Sequence, residues 1–184
     1  KIMGVIDWPE DPWSRLLRQS RTIFIPVQVD NNQISGKSNA NEGKIVSEII
    51  HAWQKILQVN KIEWNDMTCG VITPFRVQIS TIQNSLSARG LENLPITIDT
   101  VERYQGGARN IIIISTSISA ISQLEQISSL NQDAMDRKLN VALTRAREQV
   151  VVVGNPDVLK MSPAYADLIR NYHIAFPPEN GLNE

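Results

Sequence analysis

The chain has 184 residues, 42% of them hydrophobic and 20% charged, with 18 basic against 19 acidic side chains and a formal net charge of −1. That length suits one domain with a proper core and the composition is that of an ordinary globular protein, while the balanced charge excludes a global basic field, so any nucleic-acid partner must be held by a local surface. One cysteine, Cys69, and two scattered histidines exclude an internal disulfide framework and a zinc knuckle. No apolar run reaches membrane-spanning length and no signal peptide is visible, so the reading is cytoplasmic with no membrane partner. The sequence opens on Lys1 rather than Met and reads as a piece of a longer chain.

Residues 1–20 carry no clean period. Asp7-Trp-Pro-Glu-Asp-Pro-Trp13 favours extended or turn backbone, and Trp13–Arg18 reads as a short helix. Trp8 and Trp13 either staple this arm onto the domain, the favoured reading, or mark a contact with another one. Thr22–Val29 is the first strand, ended or placed at an edge by Pro26. After an Asn- and Ser-rich loop over 30–42, Asn41 is the expected N-cap of a helix over 43–58. Ile45, Val46, Ile49, Ile50, Trp53, Ile56 and Leu57 form its buried stripe, and His51 falls off it toward solvent. Cys69–Thr73 is a second strand, and Phe75–Ser87 a helix stopped near Gly90. A third strand follows over 95–101, then a loop over 102–110 centred on Gly106-Gly107. The unbroken run Ile111–Ser115 predicts a strand in a central parallel position.

Residues 116–133 read as a polar loop with one short helix. Met135, Leu139, Ala142, Leu143 and Ala146 recur at helical spacing and predict an amphipathic helix reaching Arg147, with Arg145 and Arg147 on opposite flanks. Gln149–Val153 is a fifth strand, Pro163–Tyr172 a terminal helix, and the tail beyond Phe176 is expected to fray. Strands alternating with helices give a parallel sheet covered on both faces, with ligand loops after the carboxyl ends of strands. Thr73–Gln78 and Thr100–Gly107 are the two such loops with suitable chemistry. Thr73, Thr100 and Thr116, at or just past strand ends, are candidate phosphate contacts.

Three stretches carry a resemblance. Asn140-Val-Ala-Leu-Thr-Arg-Ala-Arg147 resembles the last signature motif, motif VI, of superfamily 1 helicases, in the branch of the RNA-surveillance and flap-processing helicases. Gly70-Val-Ile-Thr-Pro-Phe-Arg-Val-Gln78 is similar to motif IV, and Thr100-Val-Glu-Arg-Tyr-Gln-Gly-Gly-Ala-Arg-Asn110 resembles motif V. The resemblance implies an α/β, RecA-like three-layer domain with a mainly parallel central sheet. It implies the second motor domain over residues 21–176, preceded by an arm over 1–20 from a first motor domain and followed by a flexible tail over 177–184. By the same resemblance, Arg145 is the arginine finger toward the γ-phosphate of ATP. Arg76, Gln78, Gln105 and Gly106 face the nucleotide, and Gln105-Gly106 also the nucleic-acid track. The cofactor is then ATP with Mg2+, held mainly by the first domain, and the partners are that domain and a single strand of DNA or RNA.

Two positions depart from the pattern: Ala108 stands where many members carry a glutamate, and Ile79 where some carry an arginine. The phosphate loop Gly-x-x-x-x-Gly-Lys-Ser/Thr does not occur in these 184 residues, and Gly36-Lys-Ser38 reads as solvent-facing loop. The reading is therefore a helicase motor domain that is inactive alone. The rival readings are a non-catalytic RecA-like scaffold that binds a partner, and a flavodoxin-like ligand domain that explains none of the three motifs.

Overall fold

Alternating apolar side chains give one sheet two buried faces. The computed structural model describes residues 2–28, 36–104, 107–128 and 139–178. Its elements run α1 (Pro12–Arg18), β1 (Thr22–Pro26), α2 (Ala40–Val59), β2 (Cys69–Thr73), α3 (Arg76–Ala88), β3 (Thr97–Thr100), β4 (Arg109–Ser115) and α4 (Ile121–Ser128). They continue with β5 (Ala146–Gly154), α5 (Pro156–Leu159), α6 (Pro163–Asn171) and β6 (His173–Ile174). The strands pair in the order β3-β2-β4-β5-β1-β6, and every pairing is parallel. This is the expected RecA-like α/β layering, with the isoleucine strand β4 near the middle.

On one face Ile23, Ile25, Val71, Ile111, Ile113, Val151 and Val153 pack against the stripe of α2, with α1 and α3 beside it. On the other face Phe24, Ile72, Ile112, Ile114, Val150 and Val152 meet Leu124, Leu139, Tyr165, Leu168 and Ile169. The period-2 alternation of each strand makes both layers at once. The indole N–H of Trp53 reaches Gln149 Oε1 (3.1 Å), and Gln149 Nε2 bonds the carbonyls of Leu17 and Ser20. A buried glutamine thus ties α2, β5 and the end of α1 with its polar groups satisfied. Trp8 packs edge-to-face on Trp53 with ring centroids 5.7 Å apart, and Trp13 is buried, so both tryptophans dock the N-terminal residues onto the domain.

Three expectations need correction. Asn39, not Asn41, caps α2: its Oδ1 accepts from Glu42 N (3.1 Å), and the helix starts three residues earlier than the pattern suggested. The predicted helix to Arg147 is helical over 139–143 only, then turns, and Ala146 and Arg147 already belong to β5. Pairing with β4 is the cause, because Arg109 lies opposite Ala146 and its N–H donates to the carbonyl of Arg145 (2.8 Å). The start of that predicted helix, through Lys138, lies outside the described residues. His51 is half-buried instead of solvent-facing, and its Nδ1 is enclosed without a hydrogen-bond partner. The short elements α5 and β6 were not foreseen. Among the described residues no helix is long and apolar enough to cross a membrane.

Candidate functional site

The residues singled out by sequence fall on two opposite edges of the sheet. At the carboxyl edge, β2 ends at Thr73 and Pro74-Phe75 leads directly into α3. Phe75 occupies the N-cap position and makes no side-chain cap bond, so the first-turn N–H groups gain no partner from it. Arg76, the first helical residue, is exposed. Lys37 Nζ stands 6.0 Å from the centroid of the Phe75 ring, which places a second cation on this edge. Thr73, Thr100 and Thr116 end or follow β2, β3 and β4 here, and all three are buried. The Thr73 hydroxyl has no hydrogen-bond partner. Thr116 lies against Gly154, where a Cβ would come within 2.2 Å of its hydroxyl, so only glycine permits that approach.

Gln78 takes a different position from the nucleotide-facing one that the resemblance implied. Its side chain is wholly buried. Oε1 accepts from Asn39 N (2.8 Å), and Nε2 donates to Asn39 O and Ser115 Oγ (3.0 Å each). It binds the start of α2 to the end of β4.

The amino edge holds Arg145, in the turn that precedes β5. Its N–H donates to Ala142 O (3.2 Å), and its carbonyl accepts from Arg109 N. The side chain is half-buried, with Nε enclosed and lacking a hydrogen-bond partner among the described residues. Arg147, two residues on, is exposed on the strand. Because the sheet is parallel, Arg76 follows the end of one strand and Arg145 precedes the start of another. A rise of about 3.3 Å per residue separates them by roughly 15–20 Å along the strands. The structure does not bring these two arginines together.

Between the edges runs the stretch that joins β3 to β4. Tyr104 from this stretch lies over β2, and a Cβ at Gly70 would stand 1.8 Å from its Oη, so Gly70 exists to let the ring cross. Burial pushes the Tyr104 phenol up to about 12, against the opposing pull of the nearby Arg109. Gly107 holds φ +74°, a conformation that favours glycine. Gln105 and Gly106 lie outside the described residues. Arg109, beside the departure at Ala108, is turned inward: it is 6% exposed and bonds Thr97 Oγ1 (3.2 Å) and Met67 Sδ (3.8 Å). It braces β3 against β4 and does not present a charge outward in place of the missing glutamate.

Sequence reasoning missed Glu42. This carboxyl is fully buried and takes hydrogen bonds from Ser115 Oγ (2.7 Å) and Ser117 N (2.8 Å). Desolvation raises it from its usual 4.5 to about 7, more than those bonds lower it. The spacing Asn39-x-x-Glu42 ahead of an apolar run is a helix-start signature and was the available signal.

The parallel sheet with helices on both faces is a RecA-like α/β domain. The chain belongs to the AAA domain family, whose model matches residues 7–157. It is 32% identical over 161 residues to a regulator of nonsense transcripts 1 homolog of Arabidopsis thaliana, covering 83% of this chain and 12% of that protein. It is 30% identical over 161 residues to the DNA replication ATP-dependent helicase/nuclease JHS1 of the same plant, covering 83% of this chain and 11% of that one. With the putative helicase MOV-10 of Gallus gallus it shares 37% identity over 109 residues, 55% of this chain and 11% of that protein. The chain is a superfamily 1 helicase domain, and it spans only about an eighth of the length of these curated relatives.

Proposed function

We propose that this chain is the second motor domain of an ATP-dependent helicase, acting within a longer protein and in the cytoplasm. Its amino edge would face ATP and its carboxyl edge the single strand. The observation that carries this division is the placement of Arg145 and Arg76 at opposite ends of one parallel sheet. Arg145 is the arginine finger. Its half-buried guanidinium has an enclosed Nε with no hydrogen-bond partner among the described residues, which suits a group completed by an anion from a neighbouring domain. Gln105 and Gly106 are assigned to the nucleotide by the resemblance alone. The carboxylates that hold Mg2+ and the phosphate loop are assigned to the first motor domain.

Arg76, which the resemblance placed at the nucleotide, joins the strand track in this proposal. It stands beside Lys37 and the partly covered Phe75 ring, at a helix start that suits phosphate. Thr73, Thr100 and Thr116 shape that edge from beneath, and being buried they act through the loops they anchor. Gln78, which the resemblance placed at the nucleotide, serves the strand edge indirectly in this proposal, by fixing the start of α3.

A double dissociation in the full-length protein tests the division. Arg145→Ala is expected to abolish most strand-stimulated ATP turnover while strand affinity holds. Arg76→Ala is expected to weaken strand affinity while strand-saturated turnover holds. The reverse pattern, or loss of both functions in both variants, overturns it. A scaffold that binds a partner without turnover would show no strand-stimulated ATPase in the wild-type protein for Arg145→Ala to lower.

A further inference from the structure

Glu42 touches no open surface and has no part in the chemistry above, yet it closes a ring of hydrogen bonds at the carboxyl edge. Its Oε2 takes both the backbone N–H of Ser117 and the hydroxyl of Ser115. The Ser115 oxygen accepts from Gln78 Nε2, Gln78 exchanges two bonds with the backbone of Asn39, and the Asn39 side chain accepts from Glu42 N. The ring has one direction. Gln78 occupies the serine oxygen as donor, so the serine proton must go to an acceptor, and a carboxylate accepts only.

The loop beyond Ser115 needs this anchor. Ser117 sits at φ +45°, in the left-handed region that a non-glycine residue holds only when its surroundings impose it. Two residues on, the N–H groups of Ser119 and Ala120 both reach Gln123 Oε1 (2.7 and 3.1 Å), and the Ser119 hydroxyl meets Gly36 O (3.3 Å). The loop is thus pinned at its start by Glu42 and at its end by α4. Among the described residues Tyr165 of α6 is the titratable group that meets Glu42 from the other layer, and burial and the Glu42 carboxylate both raise its phenol, so it stays neutral.

We propose that Glu42 is a positioning residue for single-strand binding: by holding the buried residues Thr116–Ile118 it sets the place of Ser119 and Ala120, the end of that loop that reaches the surface of the carboxyl edge, without touching the strand. This rests on the reading of that edge as the strand track. Ligand contact then belongs to Ser119-Ala120 and to Arg76, and Glu42 acts through Ser115 and Ser117.

The test uses the full-length protein, fluorescently labelled oligouridylate and oligodeoxythymidylate as probes, and hydrogen exchange at residues 116–119. Glu42→Ala is expected to raise the Kd for whichever probe binds, and the probe concentration for half-maximal ATPase, by about tenfold, with strand-saturated turnover and ATP affinity within about twofold. Exchange at Ser117 should quicken in parallel. Glu42→Gln, whose amide oxygen still accepts both bonds, should return affinity to within about threefold of wild type. A folded Glu42→Ala protein with unchanged Kd overturns the proposal, whatever its exchange rates. Should Glu42→Ala fail to fold, Ser115→Ala decides: a rise in Kd with faster exchange at 116–119 supports the proposal, and wild-type Kd overturns it. Arg76→Ala separates the two failures. If it weakens binding while Glu42→Ala does not, only the positioning role falls; if neither does, the strand-track reading falls with it.

Discussion

The two edges of this sheet are built on opposite plans. At the carboxyl edge Asn39, Glu42 Oε2, Gln78, Ser115 Oγ and the Ser117 N–H are joined by hydrogen bonds inside the domain, Glu42 Oε1 and the Ser117 hydroxyl have no partner among the described residues, and the exposed charge of Arg76 stands outside that ring. At the amino edge one guanidinium is half-enclosed, with no partner for its Nε among the described residues and no such ring around it. A linked network gives a surface of fixed shape, which suits reading a backbone that only slides past. A charged group outside any network costs free energy until something supplies an acceptor, which suits a group engaged once per catalytic cycle.

The harshest way to break the comparison is to remove the rest of the protein. Residues 1–184 alone should show no ATP turnover in a phosphate-release assay, with or without single strands. Turnover that survives repurification and disappears in Arg145→Ala would mean the domain needs no partner. Next comes the pair Arg145→Ala and Arg147→Ala in the full-length chain. The first should lower strand-stimulated ATPase by about 10³–10⁵, as expected of an arginine finger, with ATP binding and melting near wild type. The second should be mild in both respects, because Arg147 is exposed on β5. A catalytically dead Arg147→Ala beside a near-normal Arg145→Ala would invert the assignment.

The closed edge has its own signature in pH. Glu42 binds its proton more tightly folded, near 7, than at its usual 4.5. The stability it contributes is therefore fully present below 4.5 and is lost as pH rises through 7, roughly 3 kcal/mol from a shift of this size. Denaturation of wild type and Glu42→Gln at pH 5 and pH 8 should show wild type losing more over that interval. Equal losses would mean that Glu42 ionises normally. The crossing between the edges is probed by Gly70→Ala, whose new methyl would collide with the Tyr104 ring. Unfolding free energy should fall by about 1–3 kcal/mol, the usual cost of overpacking. The smallest effect belongs to binding by the isolated domain. A few phosphate contacts give a log–log salt slope of about −0.7 each, so anisotropy with labelled single strands should show weak affinity that falls steadily with salt. Tight, salt-insensitive binding would contradict a track that reads the backbone.

Strands and layers were legible because Ile111–Ile114 and Val150–Val153 allow few alternatives to buried strands, and α2 carries a long stripe at one spacing. The end of the arginine-bearing helix was not, since Ala146 keeps helical spacing and yields only to pairing with Arg109, a partner far away in sequence. The α2 cap failed for a similar reason: Asn39 and Asn41 are equal locally, and Gln78 holds the backbone of Asn39. At the site, motif pattern picked out Arg76 and Arg145, but their separation follows from strand direction and order, which no local spacing encodes.

Eight residues, 101–108, join the end of β3 to the start of β4. They must return the length of a strand and pass its neighbour β2, with at most about 3.3–3.6 Å of reach per residue. Such a strap has little slack. It leaves Thr100, whose carbonyl receives the N–H groups of Arg103 and Tyr104, and arrives at Arg109, whose N–H grips the carbonyl of Arg145. The domain therefore carries a covalent tether that leaves one edge and rejoins the sheet at the other, and the Tyr104 ring it bears crosses β2 at Gly70. Lengthening it by even a residue or two would pay out line between the edges, making this the stretch of the chain least suited to insertions.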